Sequence, residues 1–97
     1  MPNNNGYSES ILQSDNSCYL CGIGGELARH EPLDGIGRRS KSKALGLWVR
    51  LCPRCHYNSH QERVVQDKLR AACQRAAMAE YGWTKQDFIN EFGRSYI

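Results

Sequence analysis

The chain has 97 residues, with 13 Lys and Arg against 10 Asp and Glu, and 40% hydrophobic content. That length permits one small domain, whose modest core would benefit from an internal staple. No apolar run reaches membrane-spanning length and the polar opening 1–17 lacks a signal-peptide pattern, so a cytoplasmic protein without membrane contact is expected.

The charge is unevenly spread. Residues 1–17 carry Glu9 and Asp15 and no base; residues 18–60 carry seven Lys/Arg against three acids; residues 61–97 carry six against five. The basic excess coincides with the segment that holds most of the cysteines and the histidines, which favours a polyanionic partner. A solvated basic loop explains the same count equally well.

In chain order, 1–17 is Asn- and Ser-rich without periodicity and reads as a flexible segment, leaving 18–97 as the domain. Cys18-x2-Cys21, followed by Gly22, Gly24 and Gly25, forms a first metal knuckle. Residues 26–30 read as a short strand, and 32–46 as a loop rich in Gly and base. A second strand over 47–51 leads into Cys52-x2-Cys55. In a reducing compartment, paired cysteines are metal ligands before they are disulfides. Four thiolates in two such knuckles suit one structural Zn²⁺, although a redox pair would show the same spacing.

From about His56 the pattern turns helical, with Val65, Leu69, Ala72 and Ala76 as its apolar stripe. Cys73 falls in this stretch and reads as a half-buried thiol without function. Tyr81-Gly82 stops the helix. Thr84 with Asp87 makes a capping box, Trp83 and Phe88 a hydrophobic staple, and Gly93 an end to the last helix. The fold class expected is therefore α+β: a small zinc-stapled treble clef with additional C-terminal helices.

His56 and His60 stand four apart, so on a helix they share a face and can grip one ion. His30 closes the first strand, where a hairpin crossing that helix could bring it opposite them. Imidazole both coordinates divalent cations and accepts protons near neutral pH, and Glu31 adds an oxygen that Mg²⁺ or Mn²⁺ would favour. Taken singly, each histidine has an ordinary reading: His56 as an alternative zinc ligand or a helix-start residue, His60 as a surface side chain. Trp48 and Trp83 read as core.

These residues resemble the HNH endonuclease superfamily, and within it the small phage and prophage members. The likeness rests on Cys18-x2-Cys21, Arg29-His30-Glu31, the run 46–56 and His60, with further similarity in 37–40 and the tail. The resemblance implies a ββα-metal domain that cuts DNA. It implies His30 as base with Glu31 beside it, His56 and His60 on a catalytic Mg²⁺ or Mn²⁺, and Cys18, Cys21, Cys52 and Cys55 on zinc. In the family's paired-histidine register, His30 would instead be a ligand and Glu31 the base. The middle Asn of the motif is absent, the second strand reading Leu47-Trp48-Val49-Arg50. Arg38, Arg39, Lys41, Lys43 and Arg50 would contact the DNA backbone. Two other readings fit the same residues: a non-catalytic zinc module that binds nucleic acid, and an adaptor for phage packaging or recombination proteins.

Overall fold

Two three-residue strands form the expected hairpin: β1 (Ala28–His30) and β2 (Val49–Leu51), antiparallel, pairing Ala28 with Leu51, Arg29 with Arg50 and His30 with Val49. The computed structural model describes residues 6–35 and 37–97, and four helices complete its α+β architecture: α1 (Arg38–Leu45), α2 (Pro53–Gln61), α3 (Arg63–Tyr81) and α4 (Lys85–Phe92). A ladder this short is marginal alone. It is sandwiched instead into a core formed by Cys18, Val49, Leu51, Cys52, Cys55 and Leu69. A second core, of Leu33, Leu47, Cys73, Ala77, Phe88 and Phe92, joins α3 to α4.

Four expectations need correction. The stretch 32–46 is not all loop, because its second half is α1. Arg, Lys, Ala and Leu there are good helix formers, and glycines at Gly37 and Gly46 bound them. No apolar period betrays the helix, because Ser42 is its buried residue and donates to Leu33 O. The helix expected from His56 begins earlier, with Pro53 in its first turn and Cys52 as cap, and breaks at Glu62, which is extended (φ −114, ψ 109). The stripe of α3 is rotated by about one residue: Gln66, Leu69, Cys73, Gln74 and Ala77 face inward, whereas Val65, Ala72 and Ala76 are only half-buried. Two buried glutamines disguised that face. Cys73 is fully buried rather than half-buried, and burial pushes its thiol up to about 12.

The end of the chain follows the capping logic closely. Thr84 Oγ1 accepts from Asp87 N while Asp87 Oδ2 accepts from Thr84 N, and Gly93 closes α4. Gln74 binds the tail, donating to Ser95 Oγ and accepting from Tyr96 N.

Residues 6–17, read from composition as flexible, carry no helix or strand but make specific contacts. Ser8 N donates to Lys43 O, Ile11 N to Gly46 O, and Trp48 Nε1 to Ser8 O. Residues 1–5 lie outside the described part. Gly46 is where this segment passes closest: its φ is +75, and a Cβ there would stand 2.2 Å from Glu9 O. Gly46→Ala should therefore cost at least about 1 kcal/mol from the backbone conformation alone, and Thr84→Ala about 1 kcal/mol. Thermal unfolding with zinc saturating would register each as a drop of about 4–8 °C per kcal/mol; an unshifted midpoint for Gly46→Ala would refute the close passage.

Candidate metal centres

The first knuckle is a turn in which Gly22 N donates to Cys18 O and Cys18 N to Ile23 O. Tyr19 N donates to Arg50 O, which anchors the knuckle on β2. The second knuckle is the start of α2, where Cys52 Sγ accepts from Cys55 N at 3.5 Å. Cys18, Cys52 and Cys55 are buried and Cys21 is exposed; the four sulfurs all lie within 4.8 Å of one another. Cys21 Sγ and Cys52 Sγ are 3.8 Å apart, the edge of a tetrahedron with Zn–S bonds of about 2.3 Å. The four thiols could hold an ion such as zinc. Burial works against the Cys18 thiolate, but the backbone donors of Cys52, Cys21 and Leu20 outweigh it and bring the thiol down to about 6. Burial and then the neighbouring sulfurs push Cys55 up to about 12. Four thiolates cannot share this space without a cation to balance them.

The second cluster lies where β1 meets α2. The ring centroids of His30 and His56 are 5.1 Å apart, those of His30 and His60 5.2 Å, and those of His56 and His60 4.9 Å. One nitrogen from each lies within 4.8 Å of the others. Hence three residues separated by up to 30 positions in sequence form a nearly equilateral set. His30 is held below its ordinary range by burial and further by the other two imidazoles, partly offset by the hydrogen bond it donates to Gln66. His56 is lowered by burial and by His60. Neutral imidazole is the ligand form, so the lowering of His30 and His56 suits them to a cation.

Gln66 was missed by sequence reasoning, as were Tyr7 and Arg29. Its Nε2 donates to Pro32 O at 3.1 Å, which turns Oε1 toward His30 Nε2 at 2.8 Å. In that arrangement Nε2 carries the hydrogen and Nδ1 keeps the lone pair. Arg70 Nε donates to the same carbonyl and its guanidinium pairs with Asp34 and Asp67. The only signal for Gln66 in the sequence was a polar residue in phase with Leu69 and Cys73.

Glu31 is buried beside the cluster but is not one of the convergent donors. Its Oε2 accepts from Tyr7 OH at 2.5 Å, and its Oε1 is paired with Arg39 at 3.1 Å. The expectation of Mg²⁺ or Mn²⁺ leaned on Glu31 as an oxygen ligand; three nitrogens suit zinc, nickel or a similar transition ion better. His30, His56, His60, Glu31, Arg29 and Arg39 help line a cleft of about 260 Å³.

The basic residues scatter. Arg38 lies over Gly93, Arg39 is paired with Glu31, and Lys41 is paired with Glu91 at 3.2 Å. Lys43 Nζ sits 4.9 Å from the Tyr7 ring centre. Arg50 lies on β2 with its guanidinium over the Trp48 ring. In comparisons with known proteins, no family model, curated protein or solved structure matches this chain.

Two independent centres predict two metal stoichiometries. The full chain purified with zinc should carry two ions, and His56→Ala one, with the thermal midpoint nearly unchanged. Cys52→Ser should instead lower the midpoint by more than 10 °C, since removing a structural ion typically removes folding energy outright. Elemental analysis beside circular dichroism reads both, and a His56→Ala chain that still holds two ions would exclude the imidazole centre.

Proposed function

We propose that this chain is a metal-dependent endonuclease of the HNH type, encoded by a phage or prophage and hydrolysing DNA phosphodiester bonds. The convergence of His30, His56 and His60 on one side of a cleft carries the reading. A treble-clef ββα-metal fold is part of it, supported by the succession of thiol knuckle, hairpin, thiol knuckle and helix. Zinc at the four thiols would be structural.

A divalent cation at the imidazoles would offset charge developing on the scissile phosphate and the departing 3′ oxygen. His30, His56 and His60 would hold that ion, which would polarise the phosphate and its bound water. The near-equal ring spacings favour the register in which His30 is a ligand and Glu31 the base. Tyr7, raised to about 12 by burial and by Glu31, keeps its proton and stays a donor to that carboxylate. Arg39 holds Oε1 through both Nε and Nη2, and Oε2 retains a lone pair for the proton of water. Water oxygen attacks phosphorus in line, its proton passes to Glu31, and the bond to the 3′ oxygen breaks.

A non-catalytic zinc module that binds nucleic acid is the second reading. It is favoured by the absence of the family's Asn and by Trp48, which immediately precedes β2 and is buried under the 6–17 segment.

Supercoiled plasmid with Zn²⁺, Ni²⁺, Mn²⁺ or Mg²⁺ in turn tests both. The parent should nick it, best with a transition ion. His30→Ala should lose cutting together with the second ion; Glu31→Gln should keep the ion and lose at least about 100-fold in rate, the ordinary contribution of a general base. A parent that binds plasmid but leaves it uncut under every cation would pass the argument to the second reading.

A further inference from the structure

Arg29 and Arg50 are cross-strand partners, one on each strand of the hairpin. Like charges set directly opposite destabilise a ladder. This pair nonetheless occupies the centre of the sheet, with Ala28–Leu51 and His30–Val49 on either side. Neither arginine forms an ion pair with a described carboxylate within 4.0 Å. The nearest candidate, Asp15, has its carboxylate taken up by Ser17 and Gln13, and Arg50 Nη1 binds only the Asp15 backbone carbonyl at 3.3 Å.

Aromatic faces hold both guanidinium groups in place. Arg29 Cζ lies 4.5 Å from the Tyr7 ring centre and 5.2 Å from that of Trp48, and Arg50 Cζ lies 4.8 Å from that of Trp48. Stacking fixes the plane of a guanidinium and leaves its N–H edge available. Trp48 is itself fixed by Ser8 O, and Tyr7 by Glu31. The two edges open on a cleft of about 310 Å³ whose one carboxylate-bearing wall residue is Glu9. Arg29 lines this cleft and also the imidazole cleft, so the two are neighbours through a single side chain.

We propose that Arg29 and Arg50 clamp a backbone phosphate of DNA, next along the strand from the phosphate at the imidazoles. This rests on the nuclease reading for its ligand but on separate residues for its geometry. Two preset forks facing a phosphate match its oxygens in a way that single lysines do not. The bound anion also removes the repulsion that the empty pair carries. The basic side chains of α1 are poorer candidates, because Arg39 and Lys41 already have carboxylate partners.

The test is fluorescence anisotropy of a labelled 20-base-pair duplex with the zinc-loaded full chain, without added catalytic cation, over a range of salt. Arg29→Gln and Arg50→Gln should each weaken binding and each lower the slope of log K against log salt by about one unit. The double variant should lose about two. Arg29→Lys and Arg50→Lys should recover the slope but not the affinity, since a point charge cannot make the two-pronged contact. Thermal midpoints at low salt should stay level or rise in the Gln variants, which guards against loss of fold. Unchanged slopes in folded variants would overturn the clamp, as would a parent that inorganic phosphate stabilises but that fails to bind duplex. If the Gln variants lose affinity while the parent never cuts plasmid, the clamp stands and the nuclease reading falls. If the parent cuts and the variants bind as it does, the reverse holds.

Discussion

The four-thiol cluster is the constraint from which the other positions follow. Strands of three residues cannot hold a register by backbone pairing alone. Here the first knuckle is fastened to β2 through Tyr19 and Arg50, and the second knuckle is the cap of α2. An ion across Cys18, Cys21, Cys52 and Cys55 would thus fix where α2 starts and how it leaves the hairpin. His56 is the residue after the last sulfur, and His60 is one turn on. The thiols therefore place His56 and His60, while Gln66 fixes His30.

His30 and Glu31 show how adjacent residues acquire different work. Strand alternation turns His30 inward against Val49 and α2, while Glu31 leaves the strand and meets Tyr7 and Arg39. Both are 4% exposed, so each must have its polar atoms satisfied. Gln66 does this for His30 from α3, and its own amide is oriented by a carbonyl that Arg70 shares. A break at Glu62 lets α3 turn away from α2, and Gln66 reaches His30 from that new direction. The interruption in what composition reads as one helix is a structural requirement of the site.

Motif spacing carried most of what was legible in the sequence. The knuckles, the hairpin, the pair His56 and His60, and the Thr84–Asp87 box all depend on short-range separations, which a chain displays openly. What stayed hidden depends on polar residues doing apolar work. Ser42 is the buried residue of α1, and Gln66 and Gln74 sit on the inner face of α3, so neither helix advertised its true phase. The 6–17 segment was hidden for another reason. Its composition is that of a coil, and its order comes from hydrogen bonds to Lys43, Gly46 and Trp48, more than 30 residues away.

Formal charge does not tell which basic side chains are already paired, and the structure does. Of the basic residues in 38–43, Arg39 and Lys41 are matched by carboxylates, Lys43 lies against an aromatic face, and Arg38 packs over the end of α4. Arg39 and Lys41 have thereby lost part of the unpaired field that counting assigns to them, whereas Lys43 rests on an aromatic face as Arg29 and Arg50 do. Arg50 was named among the candidate backbone contacts but its pairing with Arg29 was not visible, because the two stand one on each strand, separated by 20 residues of intervening chain. Pairing across a hairpin turns two isolated charges into one concentrated site, and the tyrosine and tryptophan beneath them prevent the charges from spreading apart. Where unlike charges would have quenched the sheet's outer face, this one keeps a localised positive potential beside the imidazoles. A polyanion drawn to that potential would meet the cleft at its histidine end.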